Sequence, residues 1–118
     1  MEMEGMMELA EKRLQAIVKE NVDPRDRLVE ISRYVLQVTE LDRPCFAYIV
    51  PLENLGLESK RFVVAVFLKS QEHRRMAVFD SGTSSEKTAL AFGKERLSHF
   101  SYYLFSSYFL CDPVWAHH

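Results

Sequence analysis

Residues 61–69 read Arg-Phe-Val-Val-Ala-Val-Phe-Leu-Lys, and no other stretch restricts the fold so tightly. A β-strand sends alternate side chains to opposite faces, so Phe62, Val64, Val66 and Leu68 go one way while Val63, Ala65 and Phe67 go the other. Both sets are apolar. The run therefore reads as a central strand that cannot leave either face in water, and helices on both faces, or a second copy of the protein, must cover it.

Two further runs have the same character. Residues 45–50 (CFAYIV) and 74–80 (RRMAVFD) are rich in β-branched and aromatic residues. The four residues 70–73 suit a hairpin turn, and residues 52–60, around Gly56, make a longer connection. Neighbours in sequence usually pair, which gives a three-stranded antiparallel meander.

Helical patterning precedes the strands. Over residues 3–20, Met7, Ala10, Leu14 and Ile17 recur at intervals of three or four, with Gly5 a weak point in the first turn. The link through Asn21 and Val22 to Asp23-Pro24 ends this helix and starts another, because Asp23 is a good cap and proline is tolerated at the first helical position. Leu28, Ile31, Val35 and Val38 then form one apolar seam, predicting a second helix that runs through Val38. A short linker between two such helices gives an N-terminal helical pair.

After the third strand, Thr83-Ser84-Ser85-Glu86 has the form of a capping box, so a helix should begin near Ser84. Gly93 allows an end, a kink or a continuation. From Lys94 to about Leu110 the pattern is again helical, with Leu97, Phe100, Leu104 and Tyr108 as an inward stripe and Phe105 and Phe109 as an outward one. Phenylalanine, tyrosine and serine are weak helix formers, so a strand hairpin turning near Ser106-Ser107 is the rival. The expected fold is a single α+β domain over residues 1–118: an N-terminal helical pair, a three-stranded antiparallel meander, and one or two C-terminal helices.

Residues 97–111 hold no formally charged side chain, and six of the chain's fourteen aromatic residues lie between Phe100 and Phe109. At fifteen residues, with four serines and a histidine, this segment is short of the roughly 20 that a membrane helix needs. The first dozen residues are acidic and polar, unlike a secretory leader, so a cytoplasmic protein without a membrane partner is expected. A net charge of -2 weighs against a generic nucleic-acid binder. The local exception is Lys60, Arg61, Lys69, Arg74 and Arg75, close to the aromatic strand residues Phe46, Tyr48, Phe62, Phe67 and Phe79. That pairing superficially suits a single-stranded nucleic-acid surface, but Glu58 and Glu72 dilute the charge, and the favoured reading is that these aromatics fill the core against residues 28–38. Cys45 and Cys111 sit among apolar residues and are expected to be reduced packing cysteines.

Residues 78–84, Val-Phe-Asp-Ser-Gly-Thr-Ser, carry the sharpest chemical motif. They resemble the aspartic-protease active-site signature, which implies Asp80 as the catalytic carboxylate, Ser81 and Thr83 as its hydrogen-bonding supports, and Gly82 as the turn residue. That chemistry needs two carboxylates, so a single motif implies a homodimer. Only 35 residues follow Thr83 and they open with a helix cap, which favours a strand-to-helix turn in which Asp80 and Ser81 satisfy local amides. The same turn could cradle an anion, but it lacks the P-loop ending and Glu86 would repel the ligand.

Elsewhere His73 sits in a turn, and His99 lies within the aromatic segment, where it could face a cysteine. No compact ligand set suggests a metal, and no cofactor is expected. The function expected from these residues is a non-enzymatic protein-interaction or regulatory adaptor module, homodimeric, with Tyr102, Tyr103, Phe105 and Phe109 at the interface. The alternative is a small-molecule binding or hydrolytic domain with a pocket near Asp80, His99 and Tyr103, in which Asp80 and His99 are the catalytic pair.

Overall fold

The sheet expected around residues 61–69 is present and has one more strand than the meander predicted. The structure, a computed structural model, describes residues 2–38, 45–69 and 74–104, with the backbone alone for residues 38, 69, 74 and 100–104. Strands β1 (Tyr34–Val38), β2 (Cys45–Pro51), β3 (Phe62–Lys69) and β4 (Arg74–Asp80) form an antiparallel sheet in the order β1-β2-β3-β4. Registers such as Ile49 opposite Val64, and Val64 opposite Phe79, put β2 and β3 at the centre. The described helices are α1 (Met3–Glu20), α2 (Arg25–Ile31) and α3 (Glu86–Leu104), with a 3-10 turn at Leu52–Leu55.

Both faces of β3 are covered by helices. On one side Val63, Ala65 and Phe67, with Tyr48, Val50, Met76 and Val78, pack against Ala10 and Leu14 of α1, Leu28 and Ile31 of α2, and Leu52, Leu55 and Leu57. On the other, Phe62, Val64, Val66 and Leu68 pack with Ala47, Ile49 and Ala77 against Ala89 and Leu97 of α3. Each large apolar side chain so buried contributes about 1.5–3 kcal/mol from removal of apolar area from water.

Helix α1 buries the expected stripe in modified form: Ala10, Leu14 and Val18 are buried, while Met7 and Ile17 pack at the margin. Its tie to the sheet includes a hydrogen bond from Gln15 Nε2 to the Met76 carbonyl at 3.3 Å. Arg13 donates from its guanidinium to the Leu55 carbonyl, fixing the 3-10 turn beneath the helix. Gly56 closes that turn at φ 77°, a left-handed conformation that glycine adopts without penalty.

The second helix is the main correction. It was expected to reach Val38 but stops at Ile31, where Ser32 becomes extended, its hydroxyl donating to the Leu28 carbonyl at 2.5 Å. Asn54 Nδ2 takes the Ile31 carbonyl at 3.0 Å, satisfying one of the acceptors exposed by a helix end. Residues 34–38 then pair with β2, as β-branched and aromatic residues favour. Leu36, outside the supposed helical seam, is the side chain that packs toward α3, whereas Val35 is 39 % exposed. At the start of α2, Pro24 takes the cap position and Asp23 receives the Arg25 amide at 3.1 Å while pairing with its guanidinium.

The capping box is also corrected. The Thr83 hydroxyl accepts the Ser85 amide at 2.9 Å, and Ser85 caps the helix by accepting the Thr88 amide at 3.3 Å. Helix α3 therefore starts at Glu86 and continues through Gly93 without ending there. Gly93 is where the helix crosses the sheet: a Cβ at this position would lie 2.5 Å from Ile49 Cδ1 and 3.3 Å from Leu36 Cδ1. Residues 97–104 are helical, and the Ser106-Ser107 turn of the rival hairpin lies outside the described residues.

Candidate functional site

The strand-to-helix turn at residues 80–85 consumes its own polar groups. Asp80 Oδ1 accepts from Arg61 Nε at 2.8 Å and from the Gly82 amide at 2.9 Å. The Ser81 hydroxyl donates to the Phe62 carbonyl at 2.6 Å and accepts the Thr83 amide at 3.3 Å. Phe62 in turn donates its amide to the Thr83 carbonyl at 3.0 Å, stitching the turn to the first residue of β3. Gly82 holds φ 76°, as such a turn requires.

This geometry gives Asp80 a guanidinium neighbour where an acid-base dyad would have a second carboxylate. Four of the amides near a would-be anion cradle are occupied as well: Gly82 bonds Asp80, Thr83 bonds Ser81, Ser85 bonds Thr83, and Thr88 bonds Ser85. What the turn can do is hold the β4–α3 junction in one conformation.

The polar residues expected to line a pocket with Asp80 are not gathered around it. His99 is exposed and lies thirteen residues beyond Glu86, about 20 Å along the helix at the standard rise. Tyr103 lies one turn further still, so these two residues and Asp80 belong to opposite ends of α3. The backbones of Tyr102 and Tyr103 are within α3, whereas Phe105, Phe109, Cys111 and His73 lie outside the described residues. Cys45 is fully buried, and burial pushes its thiol up to about 12, which removes it as a nucleophile near neutral pH.

The basic and aromatic strand residues also separate. Tyr48, Phe62 and Phe67 are buried in the core and cannot stack on a base. Phe46 lies beneath the Arg25 guanidinium at 5.8 Å, and Arg61 is committed to Asp80. Among the described residues, no three of His, Cys, Asp and Glu gather as a metal site, and no helix is long and apolar enough to cross a membrane.

One cluster was absent from the sequence reading. Glu86 receives Arg33 Nη1 on Oε1 at 3.0 Å and the Tyr34 hydroxyl on Oε2 at 2.9 Å. That hydrogen bond to a carboxylate raises the Tyr34 phenol above its ordinary range. Beside the cluster runs a groove of about 590 Å³, lined by Tyr34, Glu86, Lys87, Leu90, Ala91 and Lys94. It runs along α3 beside Tyr34 of β1, an outer strand among those described, on which Tyr34 and Val35 are 37 % and 39 % exposed. No local signal could have revealed the cluster, because Glu86 was assigned to a cap and its partners are about fifty residues away in sequence.

Comparisons of the chain with protein-family models, with curated proteins and with solved structures found no match in any of the three.

Proposed function

We propose that this chain is a non-enzymatic interaction module that self-associates as a homodimer and uses the aromatic C-terminal segment as its interface. One observation carries the reading: α3 is seated on the sheet by Ala89, Gly93 and Leu97, and Ser98 and His99 are exposed immediately beyond that seat. The charge-free run of residues 97–111 thus begins at Leu97, the last side chain of that seat among the described residues. Residues of α1, α2 and α3 up to and including Leu97 pack on both faces of the central strand.

Tyrosine and phenylalanine offer large rigid contact areas at modest entropic cost, and tyrosine hydroxyls tolerate a wet rim. Tyr102, Tyr103, Phe105 and Phe109 are the interface residues of this proposal. The engagement of Asp80 by Arg61 and Gly82 supports a structural role for that carboxylate.

Native mass spectrometry of a mixture of unlabelled and 15N-labelled chain tests the proposal. A dimer population of intermediate mass is expected, and it should disappear in the Phe105→Ser/Phe109→Ser variant. A monomer in both samples, or mixed dimers equally abundant in the variant, would remove the segment from the interface.

A further inference from the structure

Arg96 is the cation whose surroundings call for a ligand. Its guanidinium carbon lies 5.0 Å from the Phe92 ring centroid, one turn back on α3, and 4.9 Å from the Phe79 ring of β4. Cation–π attraction to both rings orients the group. Its Nε is buried and has no hydrogen-bond partner. Arg25, Arg27, Arg33 and Arg61 each pair with a carboxylate, whereas no described carboxylate forms an ion pair with Arg96. A guanidinium that forms no ion pair with a carboxylate gains strongly from a planar anion that can accept two of its N–H groups together.

The neighbourhood reinforces the charge. Arg75 pairs with Leu68, which packs on the α3 side of the sheet, so the exposed Arg75 projects to that same side. Glu95, the adjacent acid, stands about 100° further round, away from Phe79.

We propose that Phe79, Phe92 and Arg96 form a carboxylate-recognition site for an acidic protein segment, with the terminal N–H groups of Arg96 gripping one side-chain carboxylate. The rings attend to Arg96 and so are poorly placed to stack bases. The site lies on the β4 flank of α3 and operates whether or not the chain dimerises.

The test is a 15N–1H titration of the full chain, observing the arginine Nε–H signals, with an end-blocked hexaglutamate peptide at about 0.1 M salt, which suppresses loose electrostatic attraction. The Arg96 signal is expected to move saturably while the paired arginines stay in place. Arg96→Lys keeps the charge but loses the planar fork, and binding followed through backbone amides should weaken at least about tenfold. Phe79→Leu, which retains apolar bulk, should weaken binding several-fold with an unchanged amide spectrum elsewhere. Equal binding by Arg96→Lys, no saturable shift up to about 5 mM peptide, or saturation by inorganic phosphate at lower concentration than by peptide would each overturn the assignment.

Discussion

Substituting Gly93 by alanine should have opposite effects in two backgrounds that differ by one methyl group. In the native chain the new Cβ would approach Ile49 Cδ1 to 2.5 Å, and Ile49 is fully buried beneath the helix. Overpacking of this kind costs about 1–3 kcal/mol, against which alanine gains about 1 kcal/mol over glycine in a helix interior. The net expectation is a loss of about 1 kcal/mol. Ile49→Val removes the Cδ1 atom, leaving the Ile49 Cγ1 position at 3.7 Å, an ordinary contact, and Leu36 Cδ1 at 3.3 Å, where the end of a flexible side chain has only a few tenths of an ångström to give. In that background Gly93→Ala should stabilise by up to about 1 kcal/mol, even though Ile49→Val alone costs about 0.5–1.5 kcal/mol. Urea unfolding of the four proteins, followed by circular dichroism, measures the cycle. With a slope of about 1–3 kcal/mol/M, each effect moves the midpoint by several tenths molar. Equal stabilisation by Gly93→Ala in both backgrounds would refute the close crossing of α3 over β2.

Two other predictions concern stability. The Cys45 thiol is pushed from 9.0 up to about 12 and the Tyr48 phenol from 10.0 up to about 12, both mainly by burial. The unfolded chain therefore releases these protons first, so the stability present below pH 9 falls as pH rises from 9 toward 12, more steeply once Tyr48 joins above 10. Unfolding titrations should show that decline, and Cys45→Ala should flatten its first part; a flat native profile across that range would contradict the burial of both groups. Gly82→Ala should cost about 1–2 kcal/mol through the left-handed backbone alone, since its Cβ would meet Arg61 Nη2 at an unstrained 3.7 Å. Asparagine should be milder, and an unchanged urea midpoint for alanine would show that the turn is not held at positive φ.

The strands were legible where composition and period agreed. Phe62 to Leu68 is apolar on both alternations, and a two-sided helical cover follows from that pattern. The strand over Tyr34–Val38 was hidden because Leu28, Ile31, Val35 and Val38 also satisfy a helical spacing. Its β-branched and aromatic content pointed the other way, and pairing with β2 decided the conflict. The turn role of Asp80 was readable from local chemistry, although its Arg61 partner comes from another element. The Glu86 cluster was not readable, since a side chain that could return to its own helix start instead reaches Arg33 and Tyr34. At Arg96 the spacing from Phe92 was visible in sequence, but Phe79 arrives only through the packing of α3 on β4.

Self-association through the aromatic segment is most directly tested by sedimentation equilibrium of the full chain at about 50 μM, above the Kd of any stable dimer. The account predicts a mass of twice the 13.8 kDa chain. A single species at 13.8 kDa at that concentration would contradict it.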